Sequence, residues 1–216
     1  MSKLKRDQMG STRREILEIL KKKGSMAVNE LSGVLEITQM GVRGHLASLE
    51  RDGLVGCRTV KKKVGRPTQV YSLTQEAHDL FPKSYHLFAN GLLKDIKAIE
   101  GEAKIDLIFT ARENRLYEER TPRMKGKDLE GRVAELTKIV DEVGYLADWE
   151  KVDDDTFIIK EHNCAIHCIA KDYPQACKHE HSLFLRLLDA DVARTHHQLS
   201  GDHYCGYTIR RRKENG

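Results

Sequence analysis

Cysteine and histidine side chains gather near the C-terminal end of this 216-residue chain. Four of the five cysteines lie within the last 53 residues, and seven of the ten histidines fall in the same region. These four are Cys164, Cys168, Cys177 and Cys205. Thiolates and imidazoles bind transition metals, and thiols also carry redox chemistry. In a reducing cytoplasm such a group indicates a metal or redox site more than a disulfide framework.

The cysteine spacing leaves the type of site open. Twelve residues separate Cys164 from Cys177, and twenty-seven separate Cys177 from Cys205. This pattern is neither a ferredoxin run nor the paired C-x-x-C of a zinc ribbon. Cys177 falls in the first turn of a predicted helix, where the helix dipole stabilises a thiolate. A zinc site, a thiol redox sensor and four small buried hydrophobes all remain alternatives at this point.

Catalysis by a cysteine nucleophile has one candidate arrangement, Cys164 beside His162 and His167. The chain contains no glycine-rich phosphate loop and no hydrolase elbow. We therefore predict that the protein is not an enzyme and expect no small-molecule substrate.

The elements before residue 75 predict a winged helix-turn-helix. Helices are expected at 11–23, 29–35 and 39–52, where apolar residues recur at helical spacing. Strands at 54–60 and 69–73 would follow, joined by a very basic hairpin tip. Three short helices followed by such a hairpin are typical of this DNA-binding fold.

Charge is distributed unevenly along the chain. Residues 1–75 contain 15 Lys and Arg against 7 Asp and Glu, whereas residues 76–216 contain 22 against 26. A basic first third indicates a polyanionic partner, here double-stranded operator DNA. No apolar run is long enough to span a bilayer and no secretory signal is recognisable, so we predict a cytoplasmic protein without a membrane partner.

The candidate DNA contacts follow from this fold. The exposed start of the third helix would enter the major groove with Gln39, Met40, Arg43 and His45. Arg43 can donate two hydrogen bonds to a guanine edge, and His45 has the alternative of packing beneath the helix. On the wing the candidates are Lys61, Lys62, Lys63 and Arg66. The lysines suit phosphates, and Arg66 suits a narrow minor groove.

The remaining elements predict an α+β chain of three segments. Residues 1–75 form the DNA-binding domain, 76–122 a helical linker and dimerisation region, and 123–216 a small α+β domain. A helix over 83–100 carries an apolar stripe that favours pairing of two chains, although it could also pack on its own C-terminal domain. Residues 123–127 read as a linker. The expected C-terminal elements are helices at 128–143 and 175–188 and strands at 145–151, 156–160, 192–197 and 204–210.

These motifs resemble the SufR-type repressors, a DeoR/ArsR-like group of winged-helix regulators that hold an iron–sulfur cluster. The resemblance covers most of the chain and rests on the wing segment 65–74, on Asn163-Cys164, on Cys177 with Glu180, and on 201–205. It implies a homodimer with one [4Fe–4S] cluster per chain, control of iron–sulfur assembly genes, and DNA affinity that depends on the cluster.

By the same resemblance Cys164, Cys177 and Cys205 would be cluster ligands. Cys168 departs from the family pattern, because many members have an apolar residue there. The fourth ligand is therefore Cys168, a histidine or a carboxylate.

Overall fold

The computed structural model describes residues 10–61 and 66–212. The chain divides into two compact units, Met1–Lys83 and Ser84–Gly216. The predicted α+β fold class is confirmed, with helices and antiparallel sheets in both units. Within the described residues, no helix has the length and apolar character needed to cross a membrane.

The first unit has the element order expected of a winged helix-turn-helix. Its elements are α1 (Ser11–Lys23), β1 (Met26–Ala27), α2 (Val28–Leu35), α3 (Gln39–Arg51), β2 (Val55–Val60), β3 (Thr68–Leu73) and α4 (Gln75–His78). The strands form an antiparallel sheet in the order β1-β3-β2. Ile16, Leu31, Val42, Leu46 and Leu49 are fully buried, so the predicted apolar stripes build the core of this unit.

The strand β1 and the exact start of α2 escaped the sequence analysis. Helix α2 begins at Val28, one residue before the predicted start at residue 29, and follows Ala27. There the backbone N–H of Ala27 donates to the Glu30 carboxylate at 2.6 Å. Two residues are too few to show the alternating apolar and polar pattern of a strand. Strand β1 exists only because Met26 pairs with Tyr71 of β3.

The second unit places helices on one face of a four-stranded antiparallel sheet. Its elements are α5 (Tyr85–Glu100), α6 (Glu102–Met124), α7 (Leu129–Glu142), β4 (Ala147–Lys151), β5 (Thr156–Glu161), α8 (His167–Ala170), α9 (Gln175–Leu188), β6 (Asp191–His196), a 3-10 turn (Gln198–Ser200) and β7 (Cys205–Arg210). The strand order is β4-β5-β7-β6. Phe157 and Tyr207 from the sheet, Leu136 from α7 and Phe184 from α9 meet in one core.

The linker predicted at 123–127 is partly wrong. Helix α6 continues through Pro122 to Met124, and Met124 is buried in the core of the second unit. Proline removes one helical hydrogen bond, and here the Thr121 hydroxyl donates to the Tyr117 carbonyl at 2.6 Å in the same turn. Burial of Met124 favours one more turn of helix than the local sequence does. The chain leaves the helix at Gly126, whose φ is 71°.

Helix α5 presents a row of apolar side chains to solvent. Tyr85, Phe88, Leu92 and Ile99, here named the α5 stripe, are between 50% and 79% exposed. The opposite side of α5 is packed: Leu93 and Ile96 contact a small cluster that includes Ile105 and Phe109 of α6. The helical segment predicted at 76–122 therefore spans the boundary between the units: α4 belongs to the first unit, and α5 and α6 belong to the second.

Candidate DNA-binding surface and cysteine site

Helix α3 is held with one face in the core and the other in solvent. The Thr38 hydroxyl accepts a hydrogen bond from the Gly41 N–H at 3.1 Å and so caps the start of α3. Val42, Leu46 and Leu49 are buried at intervals of three and four. The exposed face therefore begins at the first turn, as a helix that enters the major groove requires.

The predicted α3 contact residues occupy that exposed face, with one exception. Gln39, Met40 and Arg43 are exposed, and Met40 reaches 79%. His45 is partly buried. A Cβ built on Gly44 would meet no atom within 4 Å, so packing within the protein does not require glycine there.

Arg13 of α1 contacts α3 and its C-terminal end, and the sequence analysis did not find this residue. Its guanidinium donates to the Ser48 hydroxyl at 3.2 Å and lies 3.6 Å from the Asp52 carboxylate. Arg13 and Ser48 are 35 positions apart, so no local spacing could have signalled the contact.

The wing consists of β2 and β3, whose last registered pair is Val60 with Thr68. Lys61 and Arg66 follow on either side of this pair and are exposed. Lys62 and Lys63 lie outside the described residues. Two of the four predicted wing cations are thus exposed at the end of the β2–β3 pair.

Three cysteines, here named the cysteine site, come from three separate elements of the second unit. Cys164 is partly buried in the loop after β5, Cys177 is buried in the first turn of α9, and Cys205 is the buried first residue of β7. Cys164 is held by its carbonyl, which accepts from the His167 N–H at 3.1 Å. The Cys205 sulfur accepts from the Gln198 N–H at 3.5 Å.

The three thiols are close enough to act on one another electrostatically. Burial raises the pKa of Cys164 and of Cys177 to about 11, and raises the pKa of Cys205. Negative charge on Cys177 or Cys205 raises the pKa of Cys164 further. At neutral pH these groups are protonated thiols, and a bound metal would have to displace their protons.

Cys168 stands apart from this group. It is exposed on α8, and its backbone carbonyl accepts from the Asn90 side chain of α5 at 2.8 Å. It does not contribute to the pKa shifts of the other three thiols.

Charged side chains that the sequence analysis missed surround the cysteine site. Arg194 of β6 donates to the Cys177 carbonyl at 2.6 Å and to the Tyr207 hydroxyl at 3.4 Å. Glu161 of β5 is only 1% exposed and is the cross-strand partner of Cys205. Burial raises the pKa of Glu161 well above its usual value, so its neutral form is favoured. The pairing of three strands brings these residues together.

Buried polar atoms without a partner are concentrated at this place. Among the described residues, five buried side-chain atoms lack a hydrogen-bond partner: Asn90 Oδ1, Glu161 Oε1, Gln175 Oε1, Arg194 Nε and His197 Nε2. Glu161 pairs with Cys205, Arg194 bonds the Cys177 backbone, and Gln175 shares the first turn of α9 with Cys177. An unsatisfied buried polar atom costs about 1–3 kcal/mol, so these atoms favour an additional polar group at the site.

The cysteine site does not have the geometry of a single-ion metal site. Over the described ranges, no three His, Cys, Asp or Glu side chains converge closely enough to hold one metal ion. By chemistry, three thiols are donors of the type that bind iron–sulfur clusters, and the Arg194 guanidinium beside the Cys177 backbone suits an anionic group.

Of the two histidines beside Cys164, His162 has a different side-chain partner and His167 contacts Cys164 through its backbone. His162 Nε2 lies 2.6 Å from the Asp148 carboxylate. His167 is the first residue of α8, and its N–H is the donor to Cys164 noted above.

Comparison with known proteins identifies one domain. Residues 10–56, from α1 to the start of β2, match the family model described as bacterial regulatory protein, arsR family. A search of the curated proteins finds no match to the chain.

Solved structures with some similarity include three regulators. A transcriptional regulator homologue from Pyrococcus horikoshii OT3 is 23% identical over 46% of this chain and 99% of its own, at a TM-score of 0.30. A MarR-like transcriptional regulator from Thermotoga maritima is 24% identical over 55% and 81%, at 0.34. Bacillus subtilis PadR in complex with operator DNA is 13% identical over 60% and 89%, at 0.29. Scores this low do not establish a shared fold for the whole chain. The arsR match identifies residues 10–56 as the helix-turn-helix of a DNA-binding transcriptional regulator.

Proposed function

We propose that the protein is a homodimeric repressor of iron–sulfur assembly genes whose operator binding is controlled by a [4Fe–4S] cluster. The observation that carries the sensing half is the cysteine site, where Cys164, Cys177 and Cys205 meet among buried polar atoms that lack partners. The DNA-binding half rests on the arsR match and on the exposed face of α3.

Cys164, Cys177 and Cys205 would hold the cluster, which supplies an oxidisable group that oxygen or nitric oxide can attack. Arg194 would compensate the negative charge of the thiolates from its position on the Cys177 backbone. Glu180 is on α9 three residues after Cys177, and its charge raises the pKa of all three thiols, whereas Cys168 is exposed on α8. This favours the Glu180 carboxylate over Cys168 as the fourth ligand.

The α5 stripe is the proposed contact with a second copy of the chain. A dimer would bury four large apolar side chains that the single chain leaves in solvent. The two DNA-binding units of a dimer could then bind two half-sites at once, which strengthens binding by an effective-concentration effect.

The packing of the second unit offers a route from the cluster to this contact. Cys164 and Cys177 share one apolar cluster with Phe109 of α6 and with Ile96 on the packed side of α5. The α5 stripe occupies the other side of the same helix. Loss of the cluster would loosen the Cys164 loop, the start of α9 and the start of β7, and so change how α5 is held.

The test is anaerobic purification followed by iron, acid-labile sulfide and zinc analysis. We expect about four iron and four sulfide per chain, and a large loss of both in Cys177→Ser. The matched control is Cys168→Ser, which should keep its iron because Cys168 is exposed and apart from the site. Colourless protein that gains no iron on reconstitution would contradict the cluster, and stoichiometric zinc would indicate the zinc alternative.

Operator control is tested separately. The Cys177→Ser protein should keep a folded first unit but differ from wild type in affinity for a DNA site selected from a random library. Equal affinity of the two proteins, with the cluster present only in wild type, would refute the coupling.

A further inference from the structure

A cavity in the second unit shares only Glu180 with the function proposed above. Its volume is about 300 Å³, and it lies among α6, α7 and α9 beside the Cys164 loop. The lining includes Arg112 and Arg120 of α6, together with Leu116, Val140 and Leu183. None of the cysteines lines it. We name it the arginine cavity.

Two like charges face this space, and the negative charges that act on them, Glu180 on both and Glu119 on Arg120, form no ion pair with either among the described residues. Within the described part of the chain, neither the Arg112 nor the Arg120 guanidinium donates a hydrogen bond or forms an ion pair. Arg120 is partly buried. Burial lowers the pKa of Arg120, and the positive charge of Arg112 lowers that pKa further. Arg112 is exposed, whereas the partial desolvation of Arg120 beside this second cation is unfavourable unless an anion joins them.

The acidic side chains of the same cavity have other partners. Glu113 accepts hydrogen bonds from Arg186 at 2.9 Å and Ser182 at 2.8 Å, and lies 2.6 Å from His179. Glu180 accepts from the Tyr207 hydroxyl at 3.4 Å and from the Tyr145 hydroxyl. The charge of Glu180 acts on Arg120 only at a distance. The cavity therefore keeps unpaired positive charge.

We propose that the arginine cavity binds a small organic carboxylate. A guanidinium matches a carboxylate in a two-bond geometry, so the anionic end would lie between Arg112 and Arg120. The apolar walls formed by Leu116, Val140 and Leu183 suit a hydrocarbon body rather than a bare inorganic anion. This inference does not depend on the iron–sulfur cluster.

The position of the cavity gives the ligand a regulatory consequence. Ala165 and Ile166 line it, and they follow directly on Cys164. A ligand in the cavity would contact this loop and restrict its motion. A carboxylate would thus act on the same loop that the cysteine site uses, as an effector and not as a substrate.

The experiment measures binding of a defined panel to the full chain: acetate, butyrate, hexanoate, benzoate and phenylacetate, each beside its neutral amide, and inorganic phosphate. At least one carboxylate should raise the melting temperature in thermal-shift assays and give saturable heat in calorimetry, while its amide does not. Arg120→Gln should weaken that binding about tenfold or more, because a charge-assisted pair is lost. Binding of phosphate alone, or no binding by the whole panel, would overturn the proposal.

Arg115→Gln is the matched control. Arg115 is on α6 but is exposed and paired with Glu119 at 2.9 Å, outside the cavity lining, so its replacement should leave affinity unchanged. Without ligand, Arg120→Gln should melt at or above the wild-type temperature, because an uncompensated buried charge is removed. A lower melting temperature together with unchanged ligand affinity would assign Arg120 a purely structural role. Iron analysis of the same samples tests the cluster proposal independently, so failure of carboxylate binding can be distinguished from absence of the cluster.

Discussion

Replacing Phe88 with alanine tests whether the α5 stripe joins two copies of the chain. Phe88 is 72% exposed in the single chain. Burying a large apolar side chain completely contributes about 1.5–3 kcal/mol, so burying this exposed fraction contributes about 1–2 kcal/mol per chain. A two-fold dimer contains the residue twice, which gives about 2–4 kcal/mol. Each 1.4 kcal/mol is a factor of ten, so the dimer dissociation constant should rise roughly thirty- to several-hundredfold.

The assay is analytical ultracentrifugation over a dilution series, with thermal unfolding on the same samples. The unfolding temperature of the monomer should change little, because Phe88 makes few contacts in the single chain. Val152→Ala is the control: Val152 is 56% exposed in the turn after β4 and lies off the stripe. The interface is refuted if the wild-type protein is monomeric over the whole dilution series. It is also refuted if the dimer dissociation constants of Phe88→Ala and wild type differ by less than about twofold.

Further predictions concern the recognition helix and the buried carboxylate of α6. Gly44→Ala should stabilise the first unit by about 1 kcal/mol in urea unfolding, because alanine favours helix and its Cβ meets no atom within 4 Å. The same change should weaken DNA binding if the helix backbone approaches phosphates at this position. Unchanged DNA affinity would place the phosphates elsewhere. Glu113→Ala should cost about 1–3 kcal/mol of unfolding free energy, since it removes the buried carboxylate that accepts from Arg186 and Ser182 and contacts His179. A loss below about 1 kcal/mol would contradict this. Burial raises the pKa of Glu113, but hydrogen bonds from Arg186, His179 and Ser182 outweigh it and hold the pKa below its usual value. The stabilisation is therefore present above the unfolded pKa of about 4.5 and lost as pH falls through the lower folded value. Glu113→Gln should flatten this acid limb in a pH series of thermal melts.

The first unit was predictable because its information is local. Helical spacing of Val42, Leu46 and Leu49, the Thr38 cap and the alternation of β3 each act within a few residues. The same reasoning placed Gln39, Met40 and Arg43 on the exposed face. It failed at β1, whose existence depends on a distant partner strand. It also failed at Pro122, where burial of Met124 outweighs a local helix breaker.

The cysteine site was predictable only as a collection of residue types. Spacing could count Cys164, Cys177 and Cys205 but could not separate them from Cys168, because exposure is decided by how α8 and α9 pack. Arg194 and Glu161 carry no motif at all and reach the thiols through strand pairing.

The sequence by itself determined which segments are helices and strands, where positive charge is concentrated, and which residues can bind metal. These follow from periodicity, capping and composition, which act along the chain. Only the tertiary structure decided which three thiols act on one another electrostatically, which buried polar atoms lack partners, and that Arg112 and Arg120 line one cavity. These depend on contacts between residues far apart in sequence, and on the loss of solvent that packing imposes on charged groups.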